Sequence, residues 1–336
     1  MAKIVFYSHG KRSILETVEF YKQDIDALRS LNHEIIICTK FREIPLRFDL
    51  IFIWWWTYAT YPLLISKFLG KPSIITGTFN FRFPKEFKEI DYFKRPFWQR
   101  FLIGISVKLA NLNLFVNKIE FEECTNYFNL KNSRYFPHVL DKDYIKGPLS
   151  NREIALLNLT WSGKGNLIRK GIPELIEAMK ILKDEGVRVN LKLAGMEGDG
   201  LEFLLKTIND FDLTEEIKYL GRLSRDDKIR LLRTTEIYVQ PSHYEGFGVA
   251  IAEAMGCGAC VIVCDVGAVR EVVGECGYYI KPGSAIAIAE AIKRIIQDKE
   301  LRSNLQLKAQ SRVRTLFSFQ EKVKRMEKYL SELKIS

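Results

Sequence analysis

The residues of this chain best placed to do chemistry are two carboxylates, Glu245 and Glu253, that bracket a glycine-rich turn. Between them the sequence reads Gly-Phe-Gly-Val-Ala-Ile-Ala. If a helix begins near Gly248, its first amides have no helical partner and can bind an anion. Glu253 then lies about 7.5 Å farther along the axis, on the face that it shares with Val249 and Ala250. The spacing predicts an anion site flanked by carboxylates.

A sugar nucleotide has the layout that this spacing requires. Its diphosphate could lie on the amides at the helix start, with the ribose against Glu253 and the sugar facing Glu245. On spacing alone, an ordinary helix with two solvated carboxylates is the alternative. The flanking residues 237–242 and 258–263 favour ligand binding, because they predict buried strands, and a strand–loop–helix–strand unit places its loop where open α/β sheets bind ligands.

Strand and helix patterns alternate along the whole chain, which favours an α/β fold of parallel sheets covered by helices. Its 336 residues, 47% of them hydrophobic, are enough for two domains with separate cores. The predicted strands are 3–7, 33–38, 49–54, 72–76, 113–117, 133–136, 153–160, 189–194, 217–220, 236–240 and 259–264. The predicted helices include 15–31, 97–110, 172–183, 301–316 and 319–333.

A polar segment that ends in Gly147-Pro148 is the predicted domain boundary. It separates an N-terminal Rossmann-like domain, residues 1–147, from a second Rossmann-like domain, residues 148–318. The helix in 319–336 is long enough to cross back to the first domain. Two such domains facing across a cleft suit a transferase with two substrates.

A second charged group lies after the first strand of the second domain, in residues 161–171. Lys164 and Lys170 can converge there near the sheet edge that carries Glu245. Two ammonium groups and a helix dipole could neutralise a diphosphate without a metal ion, although a solvated basic loop is the alternative. The third glycine of a dinucleotide fingerprint is missing, with Ile168 in its place, and no P-loop occurs. A dehydrogenase or a nucleotide hydrolase is therefore disfavoured.

The formal net charge of +10 suits a partner that is a phosphorylated substrate, an anionic membrane or a nucleic acid. The alternative is a basic surface without such a partner. No recognition helix or RNA-binding signature accompanies the basic residues, so a nucleic-acid partner is not expected. The chain start lacks a secretory pattern, and polar residues interrupt the apolar segment 49–70, so a cytoplasmic location is predicted. The six cysteines fit reduced thiols, and their spacing does not predict a zinc site.

Residues 158–299 resemble glycosyltransferase family four, retaining enzymes of the GT-B fold that use nucleotide-sugar donors. The resemblance rests on six segments that occur in order at family-like distances. These are Gly163-Lys164 with Lys170-Gly171, Leu193-Ala194-Gly195, Leu220-Gly221-Arg222, Pro241-Ser242 with Glu245-Gly246-Phe247-Gly248, Glu253-Ala254-Met255, and 277–283.

The resemblance implies a role for each matching residue in the transfer of a hexose. Glu245 would lie at the donor sugar, and Glu253 would bind the ribose. Lys170 would stabilise the leaving diphosphate together with Lys164. At the position of Lys164 the family usually has Arg. The remaining implied donor-binding residues are Gly163, Phe247, Gly248, Val249, Ala250, Arg222 and Leu223. No cofactor or metal ion is expected, because the nucleotide sugar is a co-substrate.

The first domain departs from the family pattern after its fourth strand. Residues 75–80 read Ile-Thr-Gly-Thr-Phe-Asn, without the histidine that the family often has there. His9, Gly10 and Thr78 are the candidates for the acceptor side. A non-catalytic, sugar-nucleotide-binding partner subunit of a glycosyltransferase complex is the alternative function.

The stretch 79–101 interleaves nine aromatic residues with six basic ones. Such a mixture suits a segment that lies on anionic lipid, and would bring the protein to a glycan, glycolipid or lipid-linked acceptor at the cytoplasmic membrane face. Glu86, Glu89 and Asp91 weaken this interpretation. A core helix with a solvated face is the alternative.

Overall fold

The structure, a computed structural model, describes residues 1–82 and 91–335 and divides into two compact units. The first domain consists of Met1–Val139 and the chain from Phe317 onward, and the second is Leu140–Leu316. In the described part of the chain, each domain holds a six-stranded sheet in which every pairing is parallel. The predicted α/β fold with two parallel sheets is thereby confirmed.

The sheet of the first domain has the strand order β2-β1-β3-β4-β5-β6. Its central strands are buried along their whole length, as expected for a parallel sheet covered on both faces. The strands are β1 Lys3–Ser8, β2 Glu34–Cys38, β3 Leu50–Trp54, β4 Ser73–Gly77, β5 Leu112–Phe115 and β6 Ser133–Tyr135. The helices are α1 Arg12–Thr17, α2 Glu19–Ser30, α3 Thr60–Phe68, α4 Phe97–Leu109, α5 Lys118–Phe128 and, from the chain end, α14 Phe319–Glu332.

The sheet of the second domain has the strand order β12-β11-β10-β7-β8-β9. The strands are β7 Glu153–Leu159, β8 Leu191–Ala194, β9 Ile217–Tyr219, β10 Thr235–Gln240, β11 Cys260–Cys264 and β12 Tyr278–Ile280. The helices are α6 Lys164–Arg169, α7 Ile172–Asp184, α8 Leu201–Asp210, α9 Arg225–Thr234, α10 Val249–Gly256, α11 Val269–Val273, α12 Ala285–Gln297 and α13 Lys299–Leu316.

The boundary between the domains lies earlier than the predicted one after residue 147. The intervening segment packs with the second domain, where Tyr144 is fully buried. Arg233 Nε donates to the Gly147 carbonyl at 2.7 Å, and Arg314 Nε donates to the Ile145 carbonyl at 3.0 Å. The polar composition that predicted a linker therefore belongs to a segment whose carbonyls are bound by arginines.

The last helix, α14, packs against α2 within the first domain. A buried ion pair joins them, with Lys322 Nζ 2.7 Å from Asp24 Oδ1. Trp54 Nε1 donates to the other oxygen of Asp24 at 3.0 Å, and Lys322 Nζ also donates to Gln23 Oε1 at 3.1 Å. These bonds satisfy two charges that would otherwise be costly to bury.

Two predicted elements need correction, and one strand was not predicted. The single helix predicted over 15–31 is two helices, because Val18 adopts an extended conformation between α1 and α2. The basic loop after β7 contains the short helix α6, and the edge strand β12 was not predicted. None of the helices in the described ranges 1–82 and 91–335 is both long and apolar enough to cross a bilayer.

Candidate active site

The glycine-rich turn lies between β10 and α10, at the carboxyl end of the second sheet. The helix begins at Val249, one residue after Gly248, as the sequence predicted. Gly248 has a φ of +91°, a conformation that favours glycine. The first amides of α10, including those of Val249 and Ala250, follow it and have no intrahelical acceptor. The helix start thus has the geometry of an anion site.

The Glu245 carboxylate, in the loop before this helix, is buried and surrounded by donors. Its Oε1 accepts hydrogen bonds from Gln240 Nε2 at 2.6 Å and Ser242 Oγ at 3.3 Å. Two cations lie near the same oxygen, Lys170 Nζ at 3.4 Å and Arg169 Nη1 at 3.6 Å. The structure therefore brings Glu245 and Lys170 together.

A buried hydrogen-bond chain sets the position of Glu245. The Leu159 amide donates to the Tyr238 hydroxyl at 3.3 Å, and this hydroxyl donates to Gln240 Oε1 at 2.6 Å. Because Gln240 Oε1 accepts that bond, its Nε2 faces Glu245. Burial raises the pKa of Tyr238 well above its ordinary value, so the hydroxyl stays protonated and remains a donor.

The basic pair at Glu245 consists of Arg169 and Lys170. Arg169 Nη1 donates to the Tyr244 carbonyl and its Nη2 to Asn166 Oδ1, both at 2.7 Å, which fixes the guanidinium. Burial lowers the pKa of Lys170, and the Glu245 carboxylate opposes this change. Arg169 was not predicted as a site residue, although it belongs to the same basic segment.

Lys164 lies apart from this pair, at the first position of α6. Its Nζ is 5.6 Å from the centroid of the Phe203 ring, and its backbone amide donates to Asp199 Oδ1 at 2.9 Å. Gly163, which is buried, is the N-cap residue of the same helix. The expected role of Lys164 in the diphosphate site stays a prediction.

Two close backbone approaches hold the basic loop against the loop of Glu245. The His243 amide donates to the Arg169 carbonyl at 2.8 Å. Gly171 has a φ of +68°, and a Cβ there would lie 2.2 Å from the Pro241 carbonyl oxygen. Only glycine fits at this position. The contact fixes the distance between Lys170 and Glu245.

Glu253, the second carboxylate of the motif, is buried on α10 and paired with a lysine that was not predicted as a site residue. Lys228 Nζ lies 2.8 Å from Glu253 Oε1. Lys228 belongs to α9, which follows the loop of Arg222 and Leu223. That loop follows β9, so it also lies at the carboxyl end of the second sheet. Phe247 is buried in the turn.

The candidate acceptor residues lie in the first domain, after β1 and β4, which flank β3 in the sheet. The His9 ring stacks on Tyr58, with centroids 4.4 Å apart, and Gly10 has a φ of +147°. Thr78 immediately follows β4. Their roles stay predictions.

Glu120 binds the segment after Thr78. Its carboxylate, which is buried, accepts from the amides of Phe79 at 2.8 Å and Asn80 at 2.6 Å. Burial raises the pKa of Glu120 to about 7, and these hydrogen bonds oppose the increase. The carboxyl thus anchors the loop that carries Thr78.

Within residues 1–82 and 91–335, no three or more His, Cys, Asp or Glu residues group closely enough to hold a metal ion. The expectation that the reaction needs none stays a prediction.

Residues 164–312 match the family described as Glycosyl transferases group 1. O-antigen chain mannosyltransferase B of Escherichia coli is 32% identical over 209 residues, which cover 59% of this chain and 54% of that protein. N,N'-diacetylbacillosaminyl-diphospho-undecaprenol alpha-1,3-N-acetylgalactosaminyltransferase of Campylobacter jejuni is 28% identical over 225 residues, 61% of this chain and 56% of that protein. The chain thus spans little more than half the length of these relatives.

Solved structures share the fold over nearly the whole chain. Anabaena HepE, crystallised with UDP, matches with a TM-score of 0.77 over 99% of this chain and 100% of its own, at 17% identity. The fold is therefore GT-B, with two Rossmann-like domains. The family match over 164–312 falls within the second domain, and it confirms the predicted resemblance.

Proposed function

We propose that this protein is a retaining glycosyltransferase that moves a sugar from a nucleoside-diphosphate-sugar donor to an acceptor hydroxyl. The observation that carries the proposal is the contact of Lys170 with Glu245, beside the amide-rich start of α10. A cation, a carboxylate and main-chain donors at one sheet edge suit a diphosphate joined to a sugar. The family match of the second domain supports this chemistry.

The donor lies in the second domain in this proposal. The diphosphate contacts the amides of Val249 and Ala250, and Lys170 and Arg169 neutralise its charge. Glu245, held by Gln240, accepts hydrogen bonds from the sugar hydroxyls. Glu253 accepts a hydrogen bond from the ribose, on the side of its carboxylate that Lys228 does not occupy.

The chemistry needs little from the protein beyond charge and position. As the bond between the sugar and the diphosphate breaks, positive charge develops on the sugar and negative charge on the departing oxygen. The diphosphate takes the proton of the acceptor hydroxyl, and the acceptor oxygen bonds to the anomeric carbon from the face that the diphosphate leaves. The configuration is therefore retained, and no protein nucleophile forms a bond. Lys170 and Arg169 stabilise the departing group, and no metal ion is required.

The acceptor in this proposal is a glycan, a glycolipid or a lipid-linked sugar that the protein reaches at the cytoplasmic face of a membrane. The name of the Campylobacter jejuni relative includes a diphospho-undecaprenol, in which the undecaprenol is a long-chain lipid alcohol. His9, Gly10 and Thr78, which follow the two strands on either side of β3, contribute to the acceptor side.

Glu245→Gln and Lys170→Met test the proposal, because each substitution removes a charge and changes the shape of the side chain little. Lys180→Met, which removes an exposed lysine paired with Asp184 on α7, is the matched control. Donor hydrolysis and transfer to a panel of acceptors are measured for each protein. The two site variants should lose more than tenfold, which corresponds to about 1.4 kcal/mol of barrier, and the control should not.

The alternative, a non-catalytic donor-binding subunit, is favoured by the loop 75–80, which lacks a histidine. The same assays separate the two functions. Donor binding without hydrolysis or transfer by the parent protein would favour the subunit. Activity of the site variants within tenfold of the parent would contradict the assigned roles.

A further inference from the structure

An unusual apolar face lies on α3 in the first domain. Tyr61, Leu64 and Phe68 are spaced three and four residues apart, so they share one face of the helix. Their exposed fractions are 70%, 50% and 90%. The opposite face of α3 is buried through Leu63. This helix thus presents apolar side chains on both its core and its solvent face.

A second apolar face lies at the start of α4, which packs beside α3. Thr60 Oγ1 and Ser106 Oγ, one on each helix, are 2.9 Å apart. Three large aromatic residues at the start of α4 are 58% to 76% exposed, namely Phe97, Trp98 and Phe101. Just before them, Arg95 Nη1 donates to Thr57 Oγ1 at 3.0 Å, so the segments that precede both helices are also joined. The α3–α4 surface is defined by Tyr61, Leu64, Phe68, Phe97, Trp98 and Phe101.

The predicted interfacial stretch 79–101 contributes only part of this surface. Phe79, Phe81 and Tyr92 are buried in the core, as the alternative interpretation expected. Phe83, Phe87, Lys85 and Lys88, with Glu86 and Glu89, lie outside the described residues. The aromatic residues of α4 are exposed, and α3, which lies outside the predicted interfacial stretch, supplies the other half.

The charged residues of α3 and α4 themselves all have one sign. Residues 60–68 and 97–109 contain Lys67, Arg100 and Lys108 and no Asp or Glu. Lys94 and Arg95 precede α4, and the acidic residue nearest to them in sequence, Asp91, is buried and caps the following turn through the Phe93 amide. Large apolar side chains with basic neighbours are the composition of interfacial helices that bind anionic lipid.

We propose that the α3–α4 surface lies on an anionic lipid bilayer, with its aromatic side chains at the depth of the headgroups and its lysines and arginines against lipid phosphates. Trp and Tyr favour this zone because one end of each ring system is apolar and the other polar. A protein partner would need acidic groups facing these cations, whereas a membrane supplies them as phosphates. The surface would bring the first domain to an acceptor carried on lipid.

Vesicle co-sedimentation tests the proposal with the intact chain. Vesicles of phosphatidylcholine alone are compared with vesicles that also contain phosphatidylglycerol, at low and at high salt. The parent protein should sediment with the anionic vesicles, and high salt should weaken the binding, since ions screen the attraction between basic residues and the anionic surface. Equal binding to both vesicle types would overturn the proposal.

Substitutions locate the contact. The double variant Phe68→Ser with Trp98→Ser, and separately Lys67→Glu with Arg100→Glu, should each reduce binding to anionic vesicles at least tenfold. The control is Ile286→Ser with Leu307→Ser, two exposed apolar residues of the second domain. A control that falls as much as the site variants, or site variants that bind unchanged, would refute this surface.

Donor binding by the same variants, followed as a thermal shift with nucleoside diphosphates, reports whether the second domain remains folded. The lipid proposal and the proposed function can then fail separately. Vesicle binding without sugar transfer would leave the surface intact and contradict the enzyme. Transfer to a water-soluble acceptor without vesicle binding would support the enzyme and contradict the lipid-binding surface.

Discussion

Gln240 Nε2 donates a 2.6 Å hydrogen bond to Glu245 Oε1, and the Tyr238 hydroxyl fixes the orientation of that amide from the other side. Tyr238 and Gln240 lie on β10, whereas Glu245 lies in the loop beyond it. A rigid strand thereby positions a carboxylate that the loop alone would leave more mobile.

Gln240→Leu should reduce kcat for sugar transfer at least tenfold with little change in KM for the donor. The substitution removes the bond that orients Glu245 and leaves the Tyr238 hydroxyl without its acceptor, which also costs about 1–3 kcal/mol of stability. Steady-state kinetics and thermal melting measure the two effects. Gln306→Leu, at a glutamine that bonds a backbone carbonyl of β10, is the control. A change in KM alone would argue against an orienting role.

Arg169→Ala should reduce transfer more than Lys164→Ala. Arg169 Nη1 lies 3.6 Å from Glu245, and Lys164 Nζ lies over the Phe203 ring. Arg169→Lys should restore only part of the activity, because a lysine keeps the charge but loses the fork that bonds Tyr244 and Asn166. Initial rates of transfer at saturating donor, measured for all three variants, test this order. A larger loss in Lys164→Ala would reinstate the basic pair predicted from the sequence.

Glu253→Ala should remove the preference of the parent protein for ribose over 2′,3′-dideoxyribose in the donor nucleotide. A hydrogen bond to a charged group contributes about 1.5–3 kcal/mol, so the parent protein should bind a ribonucleoside diphosphate at least tenfold more tightly than its 2′,3′-dideoxy form. Calorimetric titration of both nucleotides measures the ratio, with Glu290→Ala on α12 as the control. An unchanged ratio in Glu253→Ala would move the ribose elsewhere.

Stability should fall as pH rises from about 4.5 to about 7 through Glu120, whose carboxyl has a pKa of about 7 in the folded protein and an ordinary value of 4.5. Because the folded state disfavours the ionised form, the stabilisation is full below pH 4.5 and is lost as pH passes the folded pKa, a change on the order of 3 kcal/mol. Urea unfolding at several pH values, for the parent protein and Glu120→Gln, measures it. As pH rises, the unfolding free energy of the parent should fall relative to that of Glu120→Gln. The unfolding free energy of the control Glu122→Gln, at an exposed residue, should change with pH as that of the parent does.

Lys322→Met should destabilise the protein by about 3–5 kcal/mol, because it leaves the Asp24 carboxylate buried without its cation. Lys324→Met breaks an exposed pair with Glu321 on the same helix and should cost less than about 1 kcal/mol. Urea unfolding measures both. Combining Lys322→Met with Asp24→Leu should recover much of the loss, and failure to recover would show that packing, rather than charge, accounts for it.

The sequence predicted the parallel sheets well because their strands are buried on both faces, as the fully buried β3 and β11 show. Hydrophobic runs of this kind are the clearest signal in a sequence. The short edge strand β12 was missed since its three residues are only partly buried and turn residues, including Gly277 and Gly283, flank it. The break at Val18 was missed because no glycine or proline marks it.

Some residues of the candidate site could likewise be predicted from the sequence, and others could not. Glu245, Gly248 and Glu253 could be found because they lie in one contiguous motif whose spacing is that of a helix start. Lys228 could not, since it comes from α9 and meets Glu253 only through the fold. Arg169 and Lys164 carry the same charge in one segment, and only the short helix α6 decides which of them turns towards the carboxylate.

The chain passes between the two domains twice, near residue 140 and near residue 317. A protease that nicked the first crossing would therefore not release a free amino-terminal fragment. Residues 1–139 would stay attached to the remainder through α14, which is covalently continuous with the second domain and fastened to α2 by Lys322 and Asp24. A gene fragment ending at residue 139 would lack a helix of its own core, so the first domain expressed alone should need residues 317–335 supplied in trans or by circular permutation.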